Sequence, residues 1–146
     1  MRALVIAAIL ALAAPTLVQA KTLRDHLLVS TAWLAQRLDD PHLVILQVGD
    51  RAGYDAGHIP GARLVTLTDL AAPMAGEALT LELPDPEALR TRLIALGVTP
   101  RSRLVVVPTR EGVQSATRVV FTLHAAGFQD RTVLLDGGAP AWAAVE

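Results

Sequence analysis

An α/β domain, with a central parallel five-stranded sheet flanked by helices on both faces, is what this 146-residue sequence predicts. Two observations carry that expectation. Leu43-Val-Ile-Leu-Gln-Val48 and Leu104-Val-Val-Val-Pro108 are near-continuous apolar runs of strand length, as expected of strands covered on both sides. Segments with helix start and stop signals lie between the strand candidates, and such alternation argues a parallel sheet with right-handed crossovers.

The elements follow in order. Leu27-Leu28-Val29 is a short apolar run, and Ser30 is placed to cap a helix carrying Trp33, Leu34 and Leu38 on one face, ended by Asp39-Asp40-Pro41. The strand Leu43 to Val48 closes at Gly49-Asp50. Tyr54 to Ala62 is dense in turn-formers, and Arg63 to Thr66 is a short strand candidate. Asp69 can cap a single turn, and Pro73 to Pro84 reads as a loop. Asp85-Pro86-Glu87 then presents an N-cap, a proline at the first helical position and an acid in the first turn; Gly97 stops that helix after Leu96. After the strand ending at Pro108 come a six-residue loop, Thr109 to Gln114, and a helix bearing Val119, Val120 and Leu123 that stops at Gly127. Thr132 to Leu135 is the fifth strand, and a last helix begins near Pro140.

The first 20 residues differ from the rest. A positive start at Arg2, an apolar run from Ala3 to Ala14 and the small-residue site Val18-Gln-Ala20 read as a secretory signal cleaved after Ala20. The run falls short of the roughly 20 apolar residues that span a bilayer, so no stable membrane anchor is expected after cleavage. This places the mature chain in the periplasm or outside the cell, with residues 21–27 as a lead-in and 28–146 as the domain. Without Arg2 the balance is 12 Lys+Arg against 14 Asp+Glu, a net charge near −2 that gives no footprint for nucleic acid. Cysteine is absent, which excludes disulfides, thiolate metal sites and a sulfur nucleophile within these 146 residues. His26, His42 and His124 show no metal-like spacing, so no metal is expected, and no other cofactor is expected either.

Four separated pieces, in order, carry a family resemblance: GHIPGA at Gly57, His58, Ile59, Pro60, Gly61 and Ala62; ALGV at Ala95 to Val98; the strand and loop from Val105 to Ser115; and Leu135-Asp136-Gly137-Gly138-Ala-Pro-Ala-Trp142. Together they resemble a rhodanese-like domain, the sulfurtransferase module, over Leu28 to Glu146. Leu83 to Arg90 and the helix that follows are similar to the first half of tandem-domain thiosulfate or 3-mercaptopyruvate sulfurtransferases. The resemblance implies a structural first domain, whose partner would be a second rhodanese domain beyond Glu146 with the reactive cysteine.

Active members of the family open the loop with a cysteine that takes up sulfane sulfur and passes it to a thiol or cyanide. Aligned on Arg110-x-Gly112, that position is Thr109, and no persulfide forms on a threonine. The Asp-x-Arg at the end of the family's second strand is replaced by Gln47-Val-Gly49, and the often basic last loop position is Gln114. The loop of Thr109, Arg110, Glu111, Gly112, Val113 and Gln114 therefore reads as a degenerate active site, and this chain alone is expected to be inactive.

Each remaining feature has a plainer reading. Thr109 has no evident base and is expected to satisfy hydrogen bonds of the loop. Thr109, Arg110, Gly112 and Ser115 could form a weak anion site, opposed by Glu111. Ser115, His124 and Asp136 have the residue types of a hydrolytic triad, but nine helical residues separate the first two by roughly 13 Å. His58 is expected to pin its loop, and Gly137-Gly138 to allow a tight strand-to-helix turn with Trp142 packing the last helix on the sheet. A self-standing inactive module that binds a protein partner or small anion is the alternative to the half-enzyme.

Overall fold

The computed structural model describes residues 26–73, 81–109 and 112–145. Strands β1 (Leu28–Val29), β2 (Leu43–Val48), β3 (Arg63–Val65), β4 (Arg103–Pro108) and β5 (Thr132–Leu135) form one sheet in the order β1-β5-β4-β2-β3, with every neighbouring pair parallel. Val48 is in register with both Val65 and Pro108. The carboxyl ends of the three strands are therefore level, and Gly49 and Thr109 leave the sheet side by side.

Successive strand side chains point to opposite faces, so the apolar runs of β2 and β4 divide between two cores. Val44, Leu46, Val48, Leu104 and Val106 face one side. There they are covered by α3 (Pro86–Ala95), through Leu89 and Leu93, and by α4 (Val113–Leu123), through Ala116, Val119 and Leu123. Ile45, Val105 and Val107 face the other side, under Leu34 of α1 (Thr31–Ala35), Trp142 of α5 (Gly138–Ala143) and Ile59. Helices on both faces explain why neither central strand alternates polar with apolar residues.

The best-signalled helix forms as its caps dictate. The Asp85 carboxylate accepts from the backbone N–H groups of Glu87 and Ala88 at 3.1 and 3.0 Å, and Pro86 occupies the position where its missing N–H costs nothing. At the other end Gly97 takes a left-handed φ of +68°; its N–H bonds to the Ile94 carbonyl and that of Val98 to Leu93, closing a Schellman turn.

Several boundaries differ from the sequence reading, among them the start of α4 at Val113, inside the expected six-residue loop. α1 ends at Ala35 rather than continuing through Leu38, because Arg37 N–H bonds to the Leu34 carbonyl and draws the chain into turns. α2 (Arg51–Ala56) occupies part of what reads as turns: Asp50 does not merely close β2, since its carboxylate accepts from Gly53 N–H at 2.7 Å and caps a helix. β3 stops at Val65, as the Thr66 N–H turns to the Asp69 carboxylate at 2.7 Å. α4 stops at Leu123, and His124–Phe128 forms a wider π turn ended by Gly127 at φ +88°. α5 starts at Gly138, which places Pro140 within the first turn, where the backbone N–H would have no helical partner.

The expected leader of residues 1–20, most of the 73–84 loop, and Arg110 and Glu111 lie outside the described residues. No helix among the described residues is long and apolar enough to cross a membrane, and they contain no cluster of three or more metal-ligating side chains.

Candidate functional site

The loop expected to hold the chemistry starts where β4 ends. Thr109 follows the buried Pro108, and its carbonyl accepts from Gly112 N–H at 3.1 Å, turning the chain into α4. The side chain of Thr109 is half-buried and wedged between two glycines. A Cβ added at Gly49 would lie 2.9 Å from the Thr109 methyl, and one at Gly112 would lie 2.5 Å from its hydroxyl oxygen. Neither glycine has a positive φ; both are required for room.

No histidine, lysine or carboxylate among the described residues hydrogen-bonds the Thr109 hydroxyl. Among the described residues, what this side chain contributes is packing between Gly49 and Gly112. The hydrogen bond this residue gives the loop is the one its backbone carbonyl accepts from Gly112 N–H. Val113 is exposed at the head of α4, Gln114 is exposed with its carbonyl accepting from the Thr117 hydroxyl at 2.8 Å, and Ser115 is half-buried. Gly112 caps α4 without a side-chain bond. Beside the loop a cleft of about 420 Å³ runs between Pro108, Thr109 and Val113 on one side and Leu134, Gly137 and Gly138 on the other.

Gln47 has a role the sequence did not reveal. It is 1% exposed, and its amide donates to the Gly57 carbonyl at 3.2 Å and accepts from Ile59 N–H at 3.3 Å. A neutral amide, with one donor and one acceptor in use, therefore holds the GHIPGA loop to β2 where a lost charge was expected. The loop is further fixed by Tyr54, whose hydroxyl donates to the Ala62 carbonyl and whose ring stacks on His58 at 4.0 Å. His58 Nδ1 lies 3.0 Å from the Tyr54 carbonyl, and Pro60 and Gly61 turn the chain toward β3.

At the end of β5, Gly137 and Gly138 both adopt left-handed φ, +72° and +60°. A Cβ on Gly138 would overlap the Pro108 carbonyl, so this turn brings α5 against the base of the Thr109 loop. Trp142 is 5% exposed within the second core. Ser115 and His124 fall on one helical run, His124 immediately after α4, and the structure assembles no triad from them.

The family model for the rhodanese-like domain matches residues 30–145. A probable 3-mercaptopyruvate sulfurtransferase of Pseudomonas aeruginosa is 37% identical over 128 residues, covering 80% of this chain and 44% of that protein. A thiosulfate sulfurtransferase of Azotobacter vinelandii is 36% identical over 120 residues, covering 81% and 42%. The crystal structure of SseA from Escherichia coli, a 3-mercaptopyruvate sulfotransferase, superposes with a TM-score of 0.67 at 29% identity, covering 81% of this chain and 47% of that one. The chain thus spans less than half the length of these relatives.

Proposed function

The chain belongs to the rhodanese-like domain family, and from that premise we propose that it is the non-catalytic half of an exported sulfurtransferase, whose reactive cysteine lies on a second domain following Glu146. The observation that carries this reading is Thr109, packed between Gly49 and Gly112 where the family's chemistry needs a sulfur. A loop cysteine works as a thiolate that attacks the outer sulfur of thiosulfate; the S–S bond breaks, sulfite leaves, and the enzyme persulfide then passes its sulfur to a thiol or cyanide. The Thr109 hydroxyl has no counterpart to the first step. The greater length of the sulfurtransferase relatives supports a second domain as the source of the cysteine.

The chain by itself, given thiosulfate and cyanide, yields no thiocyanate above background; turnover would overturn the inactive reading. Reading the coding sequence past Glu146 tests the tandem arrangement. A stop codon there rejects it and leaves the self-standing module, which binds a protein partner or small anion. Export rests on the leader-like residues 1–20, and the N-terminal sequence of the mature protein in the periplasmic or secreted fraction is expected to begin at Lys21.

A further inference from the structure

A groove of about 640 Å³ opens at the opposite end of β4 from Thr109, where Thr99, Pro100 and Arg131 lead into β4 and β5. The six-residue length of β4 separates the two sites by roughly 20 Å. Leu89, Leu93 and Val98, otherwise buried, form the floor. Leu83 and Ile94 rise along one wall and are 40% and 55% exposed, which is costly apolar surface for side chains without a ligand. The facing wall is the π turn, where Ala125, Ala126 and Gly127 are too small to fill the space.

The charge on the rim is asymmetric. Arg90 is paired with Glu87 at 3.1 Å. Arg131 stacks its guanidinium 5.1 Å over the Phe128 ring and donates to the Pro100 carbonyl, but no carboxylate among the described residues is within ion-pair reach of it. A cation held in place at the mouth of an apolar trough, with no carboxylate partner among the described residues, suits a ligand with an apolar body and an anionic head.

We propose that this groove binds a free medium-chain aliphatic carboxylate, its chain along Leu89, Leu93 and Ile94 and its head on Arg131. The volume lies within the ~300–1,000 Å³ of small-molecule sites. The proposal is independent of the Thr109 loop and of any second domain.

Titration calorimetry of the full chain with decanoate, below its micellar concentration, and with decanol tests it. Decanoate is expected to bind saturably at one site and more tightly than decanol. Arg131→Gln is expected to weaken decanoate about tenfold, to the level of decanol. Ile94→Glu, at an exposed position, abolishes binding of both while leaving the melting temperature unchanged. Absence of saturable decanoate binding, equal affinity for the alcohol, or binding unchanged in both variants overturns the proposal.

Discussion

The methyl group of Thr109 faces the α-carbon of Gly49 so closely that a Cβ at Gly49 would sit 2.9 Å from it. These two positions, sixty residues apart in sequence, are joined by the level ends of β2 and β4, and each limits what the other can be. Gly49→Ala is expected to destabilise the domain by about 1–3 kcal/mol through overpacking. Thr109→Ser, which removes the offending methyl, should recover most of that loss. A double-mutant cycle by urea denaturation measures the coupling, and additive effects would mean that the two side chains do not compete for the same space.

Thr109→Cys places a thiol at the head of the loop but leaves Gln47, Gly49 and Gln114 unchanged. Thiocyanate formation from thiosulfate and cyanide is expected to stay near background, because the thiolate lacks the supporting charges implied by the family resemblance and no base reaches this position among the described residues. Robust turnover would show that the backbone of the loop suffices to activate a sulfur.

Gln47 offers a separate test of the GHIPGA loop. Gln47→Leu strips the partners from the Gly57 carbonyl and the buried Ile59 N–H, at a cost of about 2–4 kcal/mol. Gln47→Glu can still accept from Ile59 but cannot donate to Gly57 when ionised, and it buries a charge, so it should be no better tolerated near neutral pH. Hydrogen exchange at Ile59 reads the local effect: faster exchange in both variants is expected, and unchanged protection would assign the pinning to Tyr54 and His58 instead.

Locally specified features were legible in the sequence. The bounds of β2 and β5 follow from continuous apolar runs, and those of α3 from Asp85, Pro86 and Gly97, each acting on neighbours a few residues away. Asp50 was ambiguous because the same residue ends a strand and caps a helix, and α2 buries no residue whose spacing could have revealed it. The packing of Thr109 and the bonds of Gln47 depend on which strands lie side by side and on where their ends are level. Residue types gave the loop its family resemblance, while the contents of the cradle emerged only from the sheet register.

Two left-handed glycines separate backbone conformation from steric room. Gly97 and Gly138 have φ of +68° and +60°, so an alanine at either costs about 1–2 kcal/mol for conformation alone. At Gly97 the new Cβ meets the Arg63 guanidinium, the far end of a flexible side chain on an exposed residue, which can swing away. At Gly138 it meets the Pro108 carbonyl, which belongs to a central strand and cannot move without disturbing the register of β4 with β2. Gly97→Ala should therefore lose little beyond the conformational term, whereas Gly138→Ala should lose about 3 kcal/mol or more. Chemical denaturation of the two variants decides the matter: equal losses would mean that α5 can shift away from Pro108, and that the glycine pair serves the turn alone.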